Sequence, residues 1–170
     1  MQAADFDLGA HGILSVTVPD DWSINGKAVN KPDGTPIGYV FAIKPRSDAN
    51  AKCLLTFIYS TNGAPNKEVI RKEVLSITED FVSESVEKKQ NLKDFSLQKG
   101  YGGYCLFTDA SLVGKKASPG EYKVMGSGQV QPVDNVRGVV SLFADEPDGM
   151  EMKAMIKIIN SLKAKPSNAK

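Results

Sequence analysis

Apolar and polar positions alternate with a period of two along most of this chain, and that period predicts strands. Ile13–Val18 is rich in β-branched residues and is closed by turn chemistry at Pro19-Asp20-Asp21-Trp22, which marks a first strand and its exit. Asn25 to Pro36 carries glycine and proline with few large apolar groups, so a loop or short hairpin is expected before a second strand, Ile37–Ile43, that ends at Pro45. Cys53–Tyr59 is apolar at both alternating sets of positions. It predicts an interior strand covered on both faces. Phe95–Lys99 and Tyr104–Val113 form an expected hairpin around Gly100-Tyr101-Gly102-Gly103, and Tyr122–Val130 and Val136–Ala144 a second. Gly126 and Gly128 mark a bulge or a close approach within the latter.

Two segments shift to the helical period. From about Asn66 to Gln90, the residues Ile70, Val74, Ile77 and Phe81 recur on one stripe, with Asn66 as N-cap, Glu68 in the first turn, and Lys88 and Lys89 in the last. A closing helix opens at Asp148 with Glu151 three residues on. Met152, Met155, Ile156, Ile159 and Leu162 form its apolar face. The expected architecture is a single α+β domain: a largely antiparallel central sheet sandwiched by a long middle helix and a C-terminal helix. Its ordered core spans about residues 12–163, between frayed tails.

Composition adds limits to this picture. The chain of 170 residues is long enough for one hydrophobic core, and 41% hydrophobic with 24% charged residues is typical of folded globular chains. A formal charge of +1 offers no global field for nucleic acid, and no apolar run is long enough to span a bilayer as a helix. Met1-Gln2-Ala3-Ala4-Asp5 reads as an added Met on the mature end left by signal-peptide cleavage. A periplasmic or extracellular location is therefore expected, with a cytoplasmic protein as the alternative. Cys53 and Cys105 are the two cysteines; in an exported protein they permit one disulfide, but both lie in apolar runs, and two buried thiols are the favoured reading.

Pro19-x-x-Trp22 at the end of the first strand, a middle helix, antiparallel hairpins, and a last helix behind Asp145-Glu146-Pro147-Asp148 together resemble the PsbP-like family. That fold is named for the extrinsic subunit P of photosystem II and is shared with a Ran-binding nuclear import factor and with bacterial exported proteins of unknown role. The resemblance implies a fold and an exported bacterial member. It carries over no functional residue.

Residue by residue, catalytic chemistry finds little support. His11 is the single histidine, placed near an expected mobile terminus, which removes triads built on any other histidine and multi-histidine zinc sites. Asp20-Asp21 and Asp145-Glu146-Asp148 lack the alternating spacing of a calcium loop and suit a turn and a helix start. The glycines around Tyr101 lead into a strand and not into a helix N-terminus, so they fail as a phosphate loop. No metal or cofactor is expected. Tyrosines and the single tryptophan favour binding surfaces, and Trp22, Tyr101 and Tyr104 are the residues proposed to converge on one. The expected function is a non-enzymatic exported binding or accessory module for a protein or cell-envelope partner. The alternative is a small-ligand carrier or hydrolase with an acidic-aromatic pocket.

Overall fold

The computed structural model describes residues 1–166 and is an α+β fold built on two antiparallel sheets. The three-stranded sheet has the order β1 (Gln2–Asp7), β2 (Ile13–Val18) and β10 (Lys163–Lys165). The seven-stranded sheet runs β3-β4-β5-β9-β8-β7-β6. Its members are β3 (Trp22–Asn30), β4 (Pro36–Pro45), β5 (Lys52–Tyr59), β6 (Lys93–Phe95), β7 (Tyr101–Thr108), β8 (Val124–Val133) and β9 (Val136–Ala144). Helices α1 (Lys67–Thr78) and α2 (Met150–Asn160) lie against opposite faces of the large sheet.

On the inner face, alternate residues of the strands point into one core: Phe41 and Ile43, Cys53, Leu55 and Phe57, Val140 and Leu142. They meet Leu14, Val16 and Val18 of β2 and Met152, Met155, Ile158 and Ile159 of α2. Ile158 joins the expected apolar face, and Ile156 stays at its margin. Phe6 of β1 closes this layer, packing edge-on against Phe41 with ring centroids 4.7 Å apart. A β-carbon at Gly26 would lie 2.8 Å from the Phe6 ring, so only glycine lets β1 cross β3 this closely. The outer face has a much smaller cluster, in which Ile70 and Val74 of α1 bury Cys105 and Phe107 of β7.

Several expectations are corrected. The long middle helix is replaced by one of twelve residues, followed by a single 3₁₀ turn at Glu79–Phe81. Asn66 does cap it, its side chain accepting from the Val69 amide at 3.1 Å. The helix stops because its last carbonyls are satisfied from outside: the Gln90 amide donates to the Leu75 carbonyl at 2.6 Å and to the Thr78 hydroxyl at 2.8 Å, and that hydroxyl donates back to the Val74 carbonyl. Its buried stripe is Ile70, Val74 and Thr78, which leaves Ile77 and Phe81 exposed. Lys88 and Lys89 fall beyond the helix, and Lys88 has φ of 53°.

Asn25–Pro36 is mostly strand, because Trp22 opens β3 and residues 31–35 alone make the hairpin loop. The bulge in the second hairpin lies between Val130 and Val133; Gly126 and Gly128 instead allow close approach of Leu106 and Tyr104. Residues 2–7 and 163–165 are not frayed, since both pair with β2, whose two edges would otherwise go unbonded. The rest of the expected C-terminal tail, residues 167–170, lies outside the described residues.

The disulfide is absent: Cys53 and Cys105 are free and buried, one in the inner cluster and the other in the outer, with β9 and β8 between their strands. Opposite faces of a sheet put such thiols out of bonding reach.

Candidate binding site

Trp22, Tyr101 and Tyr104 do not converge. Trp22 is buried in the inner core on β3, and β4, β5, β9 and β8 stand between it and the strand that carries both tyrosines. Tyr101 and Tyr104 are three positions apart on β7, so they point to opposite faces. Tyr104 is buried on Phe95 with centroids 4.5 Å apart, and Tyr101 is exposed. His11 stacks on Tyr59 at 4.2 Å, which gives it a packing role.

A concave site lined by aromatic side chains lies elsewhere, on the outer face where α1 has ended. Its floor is a row of register partners on three adjacent strands: Phe107 on β7 faces Met125 on β8, and Met125 faces Phe143 on β9. Tyr122, just before β8, tilts over Phe143 at 5.2 Å, and Phe81, from the 3₁₀ turn after α1, tilts over Phe107 at 5.7 Å. These rings and Met125 enclose a groove of about 250 Å³, rimmed by Glu84, Asp109 and Lys123.

The local sequence explains why the groove stays open. Val86 donates to the Thr108 carbonyl at 2.8 Å and Ala110 to the Glu84 carbonyl at 3.0 Å, so the segment after α1 runs beside the end of β7 and does not cross the sheet. Glu87 locks that path, accepting from the Thr108 amide at 2.8 Å and from its hydroxyl at 2.7 Å. Partial burial pushes the Glu87 carboxyl up, yet these two bonds outweigh it and hold the group below its usual range. Midway along α1, Arg137 Nη1 donates to both Glu73 oxygens at 2.7 and 2.8 Å, and ahead of the helix the Gln131 side-chain amide donates to the Gly63 carbonyl at 2.8 Å.

The electrostatics of the groove are uneven. Lys52 Nζ lies over the Phe143 and Tyr122 rings, 5.6 and 5.9 Å from their centroids. Asp109 sits at the Phe81–Phe107 end, where first the Ser111 hydroxyl and then the Ser111 amide donate to it and hold its carboxyl below the usual range. Farther along the same face of the sheet two apolar side chains are open to solvent. Ile58 is 55% and Val139 39% exposed there, with no helix above them to match α1.

This site escaped sequence reasoning because its residues come from four separate segments. A signal was present. Val139 to Phe143 is apolar at nearly every position, more than one covered face requires, and the short α1 cannot cover the excess.

The cysteines are poor nucleophiles: burial pushes the Cys53 thiol up to about 12 and raises that of Cys105 as well. Among the described residues, no three His, Cys, Asp or Glu side chains gather as a metal site requires, and no helix is long and apolar enough to cross a membrane.

No family model and no curated protein matches this sequence. Among solved structures it is similar to a protein of Bacteroides thetaiotaomicron, with a TM-score of 0.51 and 14% identity, over 100% of this chain and 51% of that one. This chain thus spans about half the length of that protein, and at such identity the likeness is one of fold alone.

Proposed function

We propose that the protein is a non-enzymatic binding module and that it binds through the outer-face groove. The observation that carries this reading is the groove itself: four aromatic rings and a methionine enclose about 250 Å³ beside solvent, although the same rings would be stable if covered. The volume suits a single-ring compound, a short aliphatic group, or one apolar side chain of a larger partner. An exported location, a PsbP-like relationship and a protein or envelope partner belong to the same proposal, and they rest on the sequence features that suggested them. Ile58 and Val139, exposed farther along the same sheet face, add apolar area for a macromolecular partner.

Amide-resolved NMR of the full chain against a panel of single-ring and short aliphatic fragments tests the reading. Saturable shifts centred on Thr108, Asp109, Lys123 and Met125, lost in Phe81→Ala, are expected. Shifts centred instead on the hollow between the start of β3 and the start of α2, lined by Pro19, Trp22, Pro45 and Met150, or turnover of a substrate abolished by one substitution elsewhere, overturn it.

A further inference from the structure

Given that the groove binds, we infer that its ligand is an organic ammonium ion, such as a quaternary alkylammonium headgroup, seated on the Phe81–Phe107 ring pair beside Glu84 and Asp109. Aromatic faces carry negative quadrupole potential and attract soft cations, most strongly where water is partly excluded. The groove is walled by four such rings, and one pair is already used in this way by the protein: the Lys52 ammonium lies over Phe143 and Tyr122. Among the described residues, the other pair, Phe81 and Phe107, carries no cation of the chain's own. It has instead two carboxylates on its rim, and among the described residues neither Glu84 nor Asp109 forms an ion pair.

The opposing charges are few. Lys123 lines the groove, its carbonyl accepting from the Asp109 amide across the strand pair, and Lys115 lies near Asp109. Asp145 follows the end of β9, one residue past Ala144, the register partner of Val124, and its side chain accepts from Asn50. Around the Phe81–Phe107 end, carboxylate and ring faces therefore outnumber ammonium groups. An anionic ligand would meet two carboxylates at this end, and a neutral one would keep the apolar contact with the rings but gain no charge attraction.

Choline, its neutral carbon isostere dimethylbutanol, and the anion dimethylbutanoate share one shape and differ in charge, so they separate these cases. Titrated into the full-length protein and followed through the Asp109, Ser111, Lys123 and Met125 amides, choline is expected to saturate about tenfold more tightly than the alcohol, and the carboxylate not to saturate. Glu84→Gln with Asp109→Asn should remove the preference for choline while leaving the alcohol unchanged, and Lys123→Gln should tighten choline binding. Phe81→Leu, an exposed position that leaves the core intact, should weaken choline more than the alcohol. Equal binding of choline and alcohol in the groove overturns the ammonium assignment but keeps the groove as a binding site. Tighter binding of the carboxylate, or choline shifts that fail to saturate, also overturns it, and the fragment panel then decides separately whether the groove binds anything.

Discussion

Cys53 stands in the inner core between its cross-strand neighbours Ile43 and Leu142, which are buried with it, and its thiol is pushed up to about 12 from an ordinary 9.0. Above pH 9 the unfolded chain gives up this proton and the folded chain keeps it, so folding stability falls as pH rises toward about 12. The raised Cys105 thiol acts in the same direction. Urea unfolding across this range should show a steeper loss for the natural chain than for Cys53→Val; parallel curves would contradict the assignment. Residue identity was a good guide here, because free cysteine in an apolar strand is usually buried whatever the fold. It was a poor guide for Trp22, Tyr101 and Tyr104. Their chemistry suits a surface, but strand parity and sheet order, which no single side chain reveals, send them to different places.

The two helices show how far local periodicity reaches. Both lie within the segments that the 3.6-residue pattern marks, and Asn66 caps as its type suggests, but α2 opens after Gly149 with no side-chain cap and not on the expected Asp148–Glu151 box. The length of α1 was not legible, because Gln90, twelve residues past Thr78, folds back to satisfy its last carbonyls. What remains is a helix anchored by Ile70 and Val74, whereas α2 buries Met152, Met155, Ile158 and Ile159. Ile70→Ala removes much of the smaller anchor, a truncation that costs about 2–5 kcal/mol in a packed core. Hydrogen exchange is expected to show α1 amides losing protection in this variant while α2 keeps its own. Equal loss in both helices would mean that α1 and the inner core unfold as one unit.

At the scale of the whole molecule, the inner core is closed by segments that are distant in sequence. β1 and β10 flank β2 on opposite sides, and Phe6 plugs the gap over Gly26 and Phe41. Deleting residues 1–11 removes β1, Phe6 and the buried Leu8, and should lower the Tm by several degrees and expose dye-binding apolar surface. An unchanged Tm after this deletion would return β1 to the status of a frayed tail. Neither terminal strand was readable in advance, since Gln2–Asp7 and Lys163–Lys165 are polar and short, and take strand form only by completing the ladder of β2.

The sequence by itself determined the α+β class, the largely antiparallel pairing, the positions of most strands and where both helices begin, and most of the apolar face of α2. All of these follow from periods of two and 3.6 residues and from turn chemistry, which act over a few neighbours. Only the tertiary structure decided that α1 ends early, that the cysteines lie on opposite faces, and that β1 and β10 share β2. It also decided that Phe81, Phe107, Tyr122, Met125 and Phe143 meet in an open groove. Whether a sheet face is covered depends on how far a helix from elsewhere in the chain extends across it, and that is set by long-range hydrogen bonds and packing which local pattern does not encode.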